Sequence, residues 1–181
     1  ADTVMARYGI YLPFDSPALR TFQALRERLT ADIKGIPPVT GKMPPHLTLL
    51  IFDDDRLSSI LDKFQVAAER IIPFTLLFTD IATFPGRRGV LYARPEMSPL
   101  LQNAFQQVFD IFSDTAIVPH YRAPVRCQPH VTLVKGIGGQ GLKEAAALAT
   151  RRWIPTAART HALGLIDVYR PLDPLAELKY R

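Results

Sequence analysis

The chain contains one cysteine, Cys127, so an internal disulfide is excluded, which fits a reducing compartment. No apolar run approaches the ~20 residues that a bilayer-spanning helix needs. The first residues, Ala1 to Arg7, lack the basic-then-apolar layout of a signal peptide. The expectation is therefore a cytoplasmic protein with no membrane contact, and we take it as a monomer. Metal-binding patterns are also missing. No two of the four histidines have ligand spacing. Asp53-Asp54-Asp55 lacks the further oxygen ligands of a calcium or magnesium loop, and reads as a solvated turn that caps the following helix. No metal and no cofactor are expected. Cys127 has no partner signature and reads as an inert thiol.

What is present is ordinary in bulk. The chain has 181 residues, 48% hydrophobic and 22% charged, enough for one sizeable core or two small lobes sharing one. A formal charge of +5 tilts the choice of partner toward phosphates or nucleic acid. Tyr8 to Leu12 reads as a strand. Ser16-Pro17 opens a helix to about Ala31 that buries Leu19, Phe22, Leu25 and Leu29. After a proline-rich loop from Gly35 to Pro45 come a strand from His46 to Phe52 and a helix from Leu57 to Arg70. Strands follow over Pro73 to Phe78 and Gly89 to Ala93. Ser98-Pro99 caps a further helix, and residues 116–128 read as a basic loop. A strand from Pro129 to Val134, a helix from about Leu142 to Arg152 and a strand from Thr160 to Tyr169 complete the order, with a surface tail from Pro171. The unit strand, helix, strand, helix, strand occurs twice. This predicts a single α+β domain over residues 1–181, bilobal, with two pseudo-symmetric antiparallel sheets, helices on their outer faces and a central cleft. No composition break marks the boundary between lobes.

The same motif lies at matching places in both halves: Pro45-His46-Leu47-Thr48-Leu49 and Pro129-His130-Val131-Thr132-Leu133. In a strand, side chains alternate, so His46 shares a face with Thr48 and His130 with Thr132, while Leu47 and Val131 point the other way. A lone histidine beside apolar strand residues is ordinarily just packed or solvated. The repetition is what marks a shared site of two imidazoles and two hydroxyls, a kit suited to acid–base chemistry on a phosphodiester.

These residues resemble those of the two-histidine (2H) phosphoesterases, and in particular the 2′–5′ RNA ligase-like cyclic phosphodiesterases. The resemblance covers most of the chain. It includes Pro73-Phe74-Thr75-Leu76, Phe84-Pro85, the strand to Tyr92, the second motif and basic Lys135. It implies a bilobal fold with one histidine–threonine motif per lobe, and metal-free hydrolysis or transfer at 2′,3′-cyclic or 2′–5′ phosphodiester bonds in RNA or nucleotides. Opening a cyclic phosphate needs a base to activate water and an acid to protonate the leaving ribose oxygen. Histidine, with a pKa near ~6.5, suits both. Thr48 and Thr132 would donate to the non-bridging oxygens. Which histidine takes which role depends on substrate orientation; for hydrolysis to the 2′-phosphate, His46 is expected as the acid and His130 as the base that activates water. The chain departs from the closest bacterial members in two places. It has Ile51-Phe52-Asp53 after the first motif, where they have Phe-Leu-Gly, and no aromatic–basic pair just before the second.

Further candidates are weaker. Lys135 would add a phosphate-binding charge, although strand alternation from His130 points it to the opposite face. Arg87, Arg88, Arg122 and Arg126 flank loops and would track a nucleic-acid backbone. Tyr121, with Tyr11 and Phe84, would stack a base. His120 and His161 have no motif company and read as structural. Gly136-Ile137-Gly138-Gly139-Gln140-Gly141 matches the dinucleotide-binding glycine pattern, but His161 stands where the ribose-binding acid belongs, so it reads as a turn. The alternatives to an RNA phosphodiesterase are a module of the same fold that binds RNA with little turnover, and a cyclic phosphodiesterase for a non-RNA small molecule. Metal-dependent hydrolysis is a weaker third.

Overall fold

The computed structural model describes residues 5–37, 43–170 and 175–179. Parts of the expected loop between Gly35 and Pro45 and of the tail after Pro171 lie outside the described residues. The strands are β1 (Ala6–Leu12), β2 (Leu47–Asp54), β3 (Phe74–Phe84), β4 (Val90–Pro95), β5 (Ala116–Ile117), β6 (Val131–Lys135), β7 (Thr156–Thr160), β8 (Ala162–Asp167) and β9 (Ala176–Lys179). The helices are α1 (Ser16–Asp32), α2 (Leu57–Arg70), α3 (Pro99–Ile111) and α4 (Gly139–Arg152). Two single-turn 3-10 helices, Pro119–Tyr121 and Pro124–Arg126, interrupt the segment between β5 and β6.

The strands form two antiparallel sheets, in the orders β5-β2-β1-β8-β9 and β6-β4-β3-β7. Each helix buries one apolar stripe. The buried positions of α1, Ala18, Phe22, Leu25 and Leu29, recur at a constant offset in α3 as Leu101, Phe105, Val108 and Phe112. One helix of each half is exchanged: α1 packs with α4 on the second sheet, and α3 packs with α2 on the first. The strands after α2 and α4 cross over too, so β3 joins β4 and β8 joins β1. One continuous set of buried side chains, including Phe22, Phe52, Phe64, Phe78 and Phe105, runs under both sheets.

Three expectations change. The strand expected over 160–169 is β8, and a further strand, β7, precedes it on the other sheet, the switch falling at His161; β7 buries only Ala158 and Thr160, so it has little apolar periodicity to reveal it. The tail contributes β9, a four-residue edge strand on β8, too short to stand out in the pattern. Asp53 and Asp54 end β2 and do not cap α2. Asp53 takes a bidentate pair from Arg7 at 2.8 and 2.9 Å. Asp54, 5% exposed, accepts from the backbone N–H groups of Asp55 and Arg56 and from the Arg56 guanidinium. No helix among the described residues is long and apolar enough to cross a membrane.

Candidate active site

Strands β2 and β6, one from each sheet, touch where the sheets meet. His46 and His130 stand immediately before them. Both imidazoles are held alike: His46 Nδ1 lies 2.8 Å from the Pro44 carbonyl and His130 Nδ1 lies 3.0 Å from the Gln128 carbonyl. A carbonyl only accepts, so each Nδ1 carries the proton and each neutral ring keeps its lone pair on Nε2. A tyrosine backs each ring edge-on. Tyr11 meets His46 at 5.2 Å and 67°, and Tyr92 meets His130 at 5.6 Å and 65°. The tyrosines are equivalents, since Tyr11 pairs with Thr48 and Tyr92 with Thr132.

Both pairings also carry the same irregularity. The register passes from Tyr11–Thr48 to Ile10–Leu50, skipping Leu49, and from Tyr92–Thr132 to Leu91–Val134, skipping Leu133. An extra residue in a strand reverses the side-chain alternation beyond it. Leu49 and Leu50 are consequently both buried, as are Leu133 and Val134. The bulge thereby corrects the expectation for Lys135. The residue that simple alternation sends to the opposite face returns to the side of His130 and Thr132, and its charge acts on His46. Its counterpart after the first motif is Ile51.

Burial is the largest influence on both histidines and pushes both below the ordinary imidazole value. The carbonyl bonds pull the other way, because they also favour the charged ring. His46 is lowered further by Arg26, His130 and Lys135, and His130 by His120. Arg26 belongs to no motif. It reaches from α1 to donate an Nη2 hydrogen bond to the main-chain oxygen of Thr132.

The segment between β5 and β6 bridges the two motifs. Tyr121 is 5% exposed, so it has no free ring face for a base. Burial raises its phenol well above the usual value, and the Thr48 side chain acts on it in the opposite sense. Tyr11, 2% exposed, is likewise closed to stacking. His120, read from the sequence as structural, is exposed and lies 5.9 Å from His130 and 6.2 Å from Phe84, while Phe84 stacks on Tyr92 at 4.3 Å. Phe84 itself meets His130 edge-on at 5.3 Å. His120, Phe84 and Tyr92 thus form an aromatic wall on the His130 side. The sequence offered one signal for the tyrosines, their matching positions in the repeat, and none for Arg26 or His120.

The expected arginines are scattered. Arg87 and Arg88 are exposed on the β3–β4 turn. Arg122 is exposed but spends its Nε on the Ile117 carbonyl at 3.0 Å. Arg126 lines an open depression of about 290 Å³ with Arg94 and Pro129. The glycine run seats the β3–β4 turn: a Cβ on Gly138 would lie 2.8 Å from the Gly86 carbonyl oxygen, and Gly139 has φ +58° as α4 begins. Helix α4 therefore starts at Gly139 rather than Leu142. Cys127 is buried, with its thiol pushed up to about 11 by desolvation. Among the described residues, no group of three or more histidines, cysteines, aspartates or glutamates is placed to hold a metal.

Comparison with known proteins agrees with this fold. E. coli LigT, in its complex with 3′-AMP, superposes with a TM-score of 0.58 at 16% identity, covering 97% of this chain and 98% of LigT. Kluyveromyces marxianus Usb1 superposes with a TM-score of 0.53 at 12% identity, covering 97% of each chain. These likenesses are of fold. Proteins named as phosphoesterases in Bacillus anthracis and Bacillus cereus are 30% identical over 90 residues, 46% of this chain and 52% of theirs. The chain thus spans about half the length of the curated relatives it matches. A family model described as the 2′-5′ RNA ligase superfamily matches residues 13–171, which takes in both motif strands, both bulges and all four helices. The chain belongs to the 2′-5′ RNA ligase superfamily.

Proposed function

We propose that this protein is a metal-independent phosphodiesterase that opens 2′,3′-cyclic phosphates or 2′–5′ linkages of RNA-like substrates by acid–base catalysis between His46 and His130. One observation carries the reading: two histidines on different sheets, each locked through Nδ1 to a carbonyl two residues upstream, each with Nε2 available and a threonine two residues on. In the hydrolytic direction, one Nε2 takes a proton from water as the water oxygen bonds to phosphorus. The bond to the leaving ribose oxygen breaks, and the other histidine, protonated, gives that oxygen its proton. The Thr48 and Thr132 hydroxyls donate to the non-bridging oxygens, and Lys135 adds a point charge.

The wall of Phe84 and His120 beside His130 supports a nucleotide substrate, because a ribose-linked base lies one ring's reach from the phosphate. Binding of 3′-AMP by LigT, a structural relative, is consistent with it. Arg87, Arg88 and Arg126 would contact the backbone of a longer RNA.

The test is hydrolysis of 2′,3′-cyclic nucleotides in EDTA. The wild type should turn over, and His46→Ala and His130→Ala should each lose on the order of 10²- to 10⁴-fold while keeping the circular dichroism of the folded protein. Turnover unchanged in both variants would refute the mechanism, and chelator-sensitive turnover would refute its metal independence. A wild type that binds RNA in a salt-dependent manner without turnover, equally well after either substitution, would establish the binding module instead.

A further inference from the structure

The cleft is built on a repeat, so the places where the repeat fails are informative. The constant offset between the buried stripes of α1 and α3 sets Arg26 opposite Phe109. Helix α3 lies against β2 as α1 lies against β6. An aromatic side chain therefore meets the packing needs of this position in one half, while the other half uses a guanidinium. That guanidinium is a costly choice. It is largely buried, and among the described residues its Nε is the one buried side-chain nitrogen or oxygen without a hydrogen-bond partner. A buried charge left partly unpaired is normally selected against on stability alone. Its Nη2 donates to the Thr132 main-chain oxygen, inside the second motif. Its charge also acts on His46, in the first.

We propose that Arg26 is a positioning residue of the active site, tying α1 to the Thr132 segment and placing on the His46 side of the cleft a fixed positive charge that the other half lacks. This rests on the two-histidine reading of the site. Lys135, opposite Ile51 in the repeat, breaks the symmetry in the same sense. The groups facing His46 are then Arg26 from α1, His130 just before β6, Lys135 at the end of β6, and the Tyr11 ring from β1. Three of the four are cationic or become so, and each disfavours a proton on His46. Arg26 thus acts on the second motif through its hydrogen bond and on the first histidine through its charge.

The experiment compares the wild type with Arg26→Gln, which can still donate to the Thr132 carbonyl but carries no charge, and with Arg26→Lys, which restores the charge. The imidazole protons of His46 and His130 are titrated by NMR without substrate, so the outcome does not depend on which phosphodiester the enzyme uses. In Arg26→Gln, the proton affinity of His46 should rise about three- to tenfold while that of His130 changes less; Arg26→Lys should return His46 toward the wild type. In the cyclic-nucleotide assay, the limb of kcat/KM that His46 governs should move to higher pH in Arg26→Gln, with kcat/KM lower by roughly 10-fold.

A folded Arg26→Gln with unaltered His46 titration and unaltered pH profile, changed only in melting temperature, would make Arg26 a structural tie and overturn the proposal. Loss of the fold in both variants would overturn it too. If the wild type turned over no cyclic phosphate, the functional reading would fail, while the titrations would still decide the role of Arg26.

Discussion

Gly164 lies under the ring of Tyr11, and its replacement by alanine is the sharpest structural test of how His46 is held. The two residues pair across β1 and β8. A Cβ on Gly164 would stand 2.1 Å from Tyr11 Cζ and within 2.5 Å of both neighbouring ring carbons. No relaxed packing tolerates that separation, and the ring cannot yield freely. It is 2% exposed, its hydroxyl donates to Glu177 at 3.3 Å, and its edge rests on His46. Either the ring tilts into His46 or β8 separates from β1. Overpacking of this kind costs typically 1–3 kcal/mol, and three simultaneous overlaps argue for the upper end, about 3 kcal/mol. For a domain of this size that lowers the melting temperature by roughly 6–12 °C. A displaced His46 should also lose about 10- to 100-fold in kcat, since misplacement by ~1 Å is enough for that. Thermal melting and cyclic-nucleotide hydrolysis measure the two effects. Tyr11→Phe is the control: it keeps the ring, gives up only the bond to Glu177, and should cost at most about 1 kcal/mol. Gly164→Ala with wild-type stability and activity would refute the view that Tyr11 is wedged between β8 and the first histidine.

Two further predictions concern pH. Asp54 is held down to about 2, chiefly by the Arg56 side chain. Its contribution is therefore present above the unfolded carboxylate value and lost as pH falls through the folded one. Asp54→Asn should cost about 1–2 kcal/mol near neutrality, with the difference from wild type vanishing in urea melts as pH approaches 2; a difference independent of pH would show that the charge is irrelevant. His46 and His130 are both lowered, mainly by burial, so the folded state favours their neutral forms. Stability should be complete above pH ~6.5 and decline as pH falls toward their folded values. That decline should be shallower in His46→Gln; an equal slope in both proteins, read from melting temperature against pH, would contradict the shift.

Much of this was determined by the sequence alone. The 3.6-residue periodicity of α1, α2 and α3, with proline at the first turn of α1 and α3, set the helices. The doubled Pro-His-x-Thr-Leu set the two motif strands and the pairing of halves. These are local signals, written in spacing. What only the tertiary structure decided depends on contacts between residues far apart in the chain. Lys135 shares a side with Thr132 because a bulge against β4 inserts Leu133, and alternation within β6 alone predicts the reverse. Tyr121 is buried against Thr48, and its neighbour His120 stands at His130, because the 3-10 turn between β5 and β6 crosses from one sheet to the other. Arg26 enters the site because α1, made by the first half, packs on the sheet of the second. Each half carries its own histidine and threonine in plain order. Of the charges that make those halves unequal, Lys135 is turned by a bulge and Arg26 comes from an exchanged helix, and neither bulge nor exchange leaves a mark on local spacing.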